Sequence, residues 1–211
     1  MNFPDFYARI PGIILYDPLA ELLGAVRDGQ LHYHFEDAVK LTGHACPTVA
    51  GAWLTGVGAV RALYGSAMPE RGNFSIEFGA TQESGVTGVI ASVLTLLTGA
   101  AGSGGFAGLG GRHVRRRLLE FGVAGVEQVR ITRRDTGQQA DCRLDLSAVP
   151  GDPLIGERLA AILAGRASAA QTADFGQRWQ DRVRRILLES GQHPGLLQIR
   201  LSPAPEGREA G

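Results

Sequence analysis

A chain of 211 residues with 44% hydrophobic and 20% charged residues carries enough apolar content for one substantial core, which excludes a disordered polymer. Lysine plus arginine and aspartate plus glutamate both number 21, so the net charge is zero and supplies no global attraction to nucleic acid or to an anionic membrane. No signal-peptide pattern opens the chain, the most apolar run (86–101) is short and broken by threonines, and Cys46 and Cys142 suggest no disulfide framework. A cytoplasmic protein with no membrane or nucleic-acid partner is therefore expected.

In chain order, residues 1–30 read as an N-terminal helical arm, in which Leu19, Leu22, Leu23 and Val26 follow Pro18 at helical spacing and Asp28-Gly29 ends the pattern. An α+β core is expected over 31–149. It begins with a short helix from Phe35 and then Gly43-His44-Ala45-Cys46-Pro47. Proline is favoured at the first helical position, so Pro47 predicts a helix to about Tyr64, with Cys46 at its cap and Ala50, Trp53, Leu54, Val57 and Val60 buried. Alternation of Phe74, Ile76 and Phe78 with Ser75 and Glu77 predicts a half-buried strand. Glu83 or Ser84 should cap a helix whose stripe is Val86, Val89, Ile90, Val93, Leu94 and Leu97.

A glycine-rich stretch, 99–111, precedes three strand signals near 115–121, 126–133 and 140–146, the last two joined by an Asp135-Thr136-Gly137 turn. Residues 150–202 read as a C-terminal helical segment, with helices near 154–164 and along Phe175, Trp179, Val183, Ile186 and Leu187, ending in a short strand at Leu197 and Ile199. The tail, 203–211, is expected to be disordered.

Four donors could make a metal site. A thiol at a helix N-terminus meets the positive end of the helix dipole and free backbone N–H groups, which favour the thiolate. Thiolate and imidazole are the standard ligands of zinc and related metals, so Cys46 and His44 are candidate ligands, His34 or His113 could complete the shell, and His32 is a weaker member. The plainer reading is a small buried cysteine with surface histidines.

Gly104, Gly105, Gly110 and Gly111 followed by Arg112 could cradle an anion or other ligand with backbone N–H groups, although the order helix, glycines, strand fits neither a P-loop nor a dinucleotide fingerprint, and a plain loop is the alternative. Seven arginines stand against two glutamates over 112–134, a pattern that suits an ion-paired sheet edge. Glu83 is a candidate base or ligand, or simply a helix N-terminal charge. Cys142 should be core and His193 a surface loop residue.

The segment Thr42-Gly43-His44-Ala45-Cys46-Pro47 before a small-residue helix resembles the FmdE family, named for a component of formylmethanofuran dehydrogenase. The resemblance covers roughly residues 30 to 147. It implies helices packed on a mixed sheet, similar to the catalytic domain of glyceraldehyde-phosphate dehydrogenases, with a metal, often zinc, near His44 and Cys46, and a homodimer. Thr42 stands where the family has a further histidine and Thr48 where it has a glycine, and the family's cysteines near the second helix are absent. On this basis the chain is expected to be a zinc- or transition-metal-binding accessory or ligand-sensing protein of redox metabolism. The alternatives are a metal-free enzyme with Cys46 as nucleophile and a histidine base, a non-catalytic interaction module, and a protein whose histidine and thiolate hold haem or another organic cofactor.

Overall fold

The computed structural model describes residues 2–204, so most of the expected tail, 205–211, lies outside the described residues. The elements, in order, are β1 (Ile13–Tyr16), α1 (Pro18–Leu22), β2 (Gln30–Tyr33), α2 (Phe35–Thr42), α3 (Pro47–Tyr64), β3 (Phe74–Phe78), α4 (Thr87–Thr98), β4 (Leu119–Glu120), β5 (Val129–Arg133), β6 (Gln139–Leu144), α5 (Ile155–Leu163), α6 (Ala169–Leu188) and β7 (Leu197–Ser202). The fold is α+β.

The main sheet has the order β4-β3-β5-β6-β7; β4 runs parallel to β3 and every other pair is antiparallel, so the sheet is mixed. Alternation decides its two faces. Phe74, Ile76, Phe78, Val129, Ile131, Ala140 and Cys142 are buried in the core. The opposite face carries cross-strand polar rows: Glu77, Arg130, Asp141 and Arg200 are successive neighbours, and Ser75, Thr132, Gln139 and Ser202 form the next row. Arg130 and Asp141 are ion-paired at 2.8 Å. The ion-paired reading of the basic strands therefore holds at Arg130, and also at Arg133, which pairs with Asp135 at 2.7 Å.

Helix α3 is the spine of the core and packs on α2, α4, α6, β6 and β7. A helix buried this widely needs small residues where neighbours approach, despite the cost of glycine in a helix. A Cβ at Gly51 would lie 2.4 Å from Leu144, and one at Gly56 would lie 2.6 Å from Leu97.

Three expectations need correction. The N-terminal region is not a helical arm: α1 has only five residues and is flanked by β1 and β2, which pair antiparallel from Ile13↔Tyr33 to Tyr16↔Gln30. Glu83 does not start a helix; α4 is capped by Val86 without a side-chain hydrogen bond, and Glu83 sits in an exposed turn before it. The first strand signal after the glycines shortens to Leu119–Glu120, because the chain from 101 to 118 pairs with itself instead.

Candidate functional site

The His44–Cys46 segment is held from two sides. Gly43 ends α2 in the left-handed conformation at φ 75°, and Pro47 begins α3. From α6, Trp179 Nε1 and Gln180 Nε2 donate to the Ala45 carbonyl at 3.0 and 3.3 Å. Cys46 is the cap of α3 as expected: its half-buried sulfur accepts the Val49 N–H at 3.5 Å.

The other expected ligands do not gather there. His44 is exposed, and its Nδ1 lies 2.9 Å from the Thr42 carbonyl oxygen. His34 is exposed at the start of α2, where its backbone N–H donates to Asp37 at 2.9 Å. His32 is exposed on β2, and His113 sits in the glycine-rich loop at φ 56°. Among the described residues no group of three or more His, Cys, Asp or Glu side chains is placed to hold a metal ion. The donor set read from the sequence therefore does not fit zinc within one copy of this fold, which requires three or four converging ligands.

The residue just after that motif does line a site. Thr48 forms part of a cavity of about 380 Å³ between the helices and the sheet. Its apolar wall comes from Phe78, Ile90, Val129, Cys142, Leu144 and Leu146, and Thr48 and Thr55 on α3 and Thr87 on α4 also line it. Exposed Ala80, Val86, Glu127, Gln128 and Asp145 form the rim. Burial, and secondarily the nearby Asp141 charge, push the Cys142 thiol up to about 12, so it is a neutral wall group.

The wall is fixed by specific bonds. The Gln128 side-chain amide accepts from Leu144 N at 2.8 Å and donates to Leu144 O at 3.2 Å, so a side chain continues the β5–β6 ladder. Arg182 on α6 donates to the Leu146 and Val149 carbonyls, both at 2.8 Å. Asp145 accepts from Ser147 N and Oγ, which holds its carboxyl below the usual range. Glu127 pairs with Arg143 at 3.3 Å. Both rim carboxylates thus have partners within the protein.

Thr55 is 3% exposed, and the side-chain hydrogen bonds of the described residues include none from its hydroxyl. A hydroxyl on a residue in a cavity wall can be satisfied by solvent or by an occupant. This feature was missed in the sequence, where threonines 48 and 55 look like ordinary members of a small-residue helix.

Of the expected anion cradle, Gly104, Gly110, Gly111 and Arg112 are exposed and Gly105 is half-buried. Gly105 lies against the Arg116 backbone, where a Cβ would come within 2.8 Å of Cα. The loop folds on itself: Leu109 and Arg112 exchange both backbone bonds at 2.9 Å, and Phe106 O accepts from Arg115 N and Arg116 N. Its base is a buried ion cluster that the sequence reading did not foresee. Arg115, 6% exposed, donates to Asp17 Oδ1 at 2.8 Å, and Arg71 donates to Asp17 Oδ2 at 2.9 Å.

No helix among the described residues is long and apolar enough to cross a membrane. No family model and no curated protein sequence matches the chain. Among solved structures, the chain is similar to a tungsten formylmethanofuran dehydrogenase FmdE-like protein from Syntrophus aciditrophicus, at 16% identity and a TM-score of 0.42, over 83% of this chain and 75% of that one. Similarity at that level carries no functional inference, and the function is read from the cavity itself.

Proposed function

We propose that the protein binds a small amphipathic molecule in the cavity between α3, α4 and the sheet, and so acts as a ligand-sensing or ligand-carrying module. The observation that carries this reading is an otherwise apolar cavity of about 380 Å³ whose lining brings together three threonines, Thr48, Thr55 and Thr87. That volume lies in the range of small-molecule sites, which combine apolar walls with a few convergent polar groups. An occupant with an oxygen acceptor at one end would take hydrogen bonds from Thr48, Thr55 and Thr87 while its apolar body packs on Phe78, Ile90, Val129 and the Cys142 thiol.

Thr55→Val tests this in two measurements. Replacing this hydroxyl, which has no protein partner, by a methyl should change the stability of the ligand-free protein by no more than about 1 kcal/mol. The same change should weaken binding of a hexanoate or hexanol probe roughly three- to tenfold, followed by amide shifts at Thr48, Thr55, Thr87 and Val129. Probe shifts elsewhere, or none at millimolar concentration, would remove the proposal.

Neither of the other readings of Cys46 has comparable support. A nucleophile needs a base within hydrogen-bond reach, and the sulfur's bond is to the Val49 N–H. Metal binding would need ligands from outside one copy of the fold. Protein purified without a histidine tag should hold less than about one tenth of an equivalent of any transition metal, measured by elemental analysis. A stoichiometric metal lost in Cys46→Ser would restore the metal reading.

A further inference from the structure

We propose that the glycine-rich loop, residues 101–118, is a docking element for an anionic membrane surface. Its free end exposes Phe106 and Leu109, 41% and 43% accessible. Arg112, Arg116 and Arg117 are exposed beside them. These are backbone neighbours: Leu109 pairs with Arg112, Phe106 O accepts from Arg116 N, and Arg117 N donates to Gly102 O.

Some arginines outside the loop are committed to carboxylates, as at Arg130, Arg133, Arg158 and Arg178, while others, such as Arg9, Arg27, Arg166 and Arg200, are not. Among the described residues, Arg112, Arg116 and Arg117 have no such partner. The zero net charge of the chain hides this local excess. Guanidinium groups bind phosphate oxygens bidentately, and exposed apolar side chains next to them suit the boundary between headgroups and acyl chains.

The loop is also held in shape. His113 and Arg117, at φ 56° and 57°, are the two non-glycine residues at positive φ among the described residues. Such conformations cost energy and persist where surrounding structure enforces them, often at working sites. Here the enforcing contact is Arg115, locked on Asp17 beneath the loop. Single-stranded nucleic acid would call for interleaved aromatic platforms, of which the loop has one, Phe106.

The test is co-sedimentation of the full chain with phosphatidylcholine vesicles, with and without one-third phosphatidylserine. Binding is expected to the anionic vesicles alone and to fall steeply with salt. Arg112→Glu, Arg116→Glu and Arg117→Glu together should lower it by roughly 100-fold, at about fivefold per arginine removed, and Phe106→Ser with Leu109→Ser should lower it by roughly tenfold. Arg200→Glu, on exposed β7, should leave it unchanged. The proposal is overturned by absence of binding, by equal binding to neutral vesicles, by an equal effect of Arg200→Glu, or by release with millimolar inorganic phosphate, which would mark a free-anion site instead. All substituted positions are exposed, and an unaltered melting temperature confirms that each variant is folded.

Discussion

Replacing Asp17 with asparagine will destabilise the protein by about 3–5 kcal/mol, the cost of leaving buried charges without their partner. Asp17 is 3% exposed and is the carboxylate shared by Arg71 and Arg115. It also accepts the Leu19 and Ala20 N–H groups at 2.9 and 3.3 Å, so the same side chain caps α1. Arg71 has a second acceptor in the Leu96 carbonyl at the end of α4, but Arg115 Nε and Nη1 are already buried without partners. Asparagine keeps the cap and removes the charge, so both guanidinium groups lose their counter-ion. For a chain of this size the melting temperature should fall by roughly 10 °C. Adding Arg115→Met should recover part of that loss, because a buried ion cluster replaced by apolar groups of similar volume is often neutral. Melting of Asp17→Asn within a degree or two of the wild type would contradict the account.

The same group sets an acid limit. Burial alone would push the Asp17 carboxyl up, but the hydrogen bond from Arg71, the charges of Arg115 and Arg71, and the Ala20 N–H outweigh it and hold the carboxyl below its usual range. A carboxyl with a depressed folded pKa stabilises fully above its unfolded value, about 3.9, and loses that contribution as pH falls through the folded one. Wild-type stability should therefore drop below about pH 4, and Asp17→Asn should show a shallower decline over the same window.

Much of the framework could be read in the residues because local and tertiary preferences agree. Strands β3, β5 and β6 alternate cleanly, and Pro47 opens α3 with Cys46 at its cap. The N-terminal hairpin was hidden because α1 ends after Leu22, although Leu23 and Val26 continue its apolar spacing. β1 is instead fixed by distant backbone, through Tyr16 N to Pro69 O and Arg71 N to Tyr16 O. Those bonds have no signature in four residues of sequence. Asp17 and Arg115 are 98 positions apart, so their pairing was equally invisible.

The candidate site divides in the same way. The His44–Cys46 motif correctly marked a helix cap, which is a local feature. Convergence of ligands is a tertiary feature, and His34, His44 and His113 are not brought together with Cys46 into a metal-holding group among the described residues. The cavity depends on α3 and α4 packing so that Thr48, Thr55 and Thr87 share one space, and neither helix alone shows this.

Gly79→Ala should be the most damaging of the single-methyl additions around the cavity. Gly79 follows β3, and its N–H donates to Gln128 O at 3.1 Å, which brings its backbone against the segment leading into β5. A Cβ there would lie 1.9 Å from the Val126 carbonyl oxygen and 3.2 Å from that of Glu127. Both obstacles are backbone, so no side-chain rotation can relieve the clash. Val126 is itself buried, and the neighbouring Phe78 and Phe121 rings are stacked with centroids 5.1 Å apart, which ties both sides of the contact down. Overpacking of this kind costs about 1–3 kcal/mol, and the rigid neighbours put it at the upper end. Because Phe78, Ala80, Glu127 and Val129 all border the cavity, the forced displacement should also weaken the hexanoate probe. Gly104→Ala is the control: nothing lies within 4 Å of its Cβ position, so it should be neutral or should stabilise by about 0.4–1 kcal/mol through the unfolded chain. Chemical denaturation of the two variants side by side measures the difference, and equal midpoints would show that the contact at Val126 yields without cost.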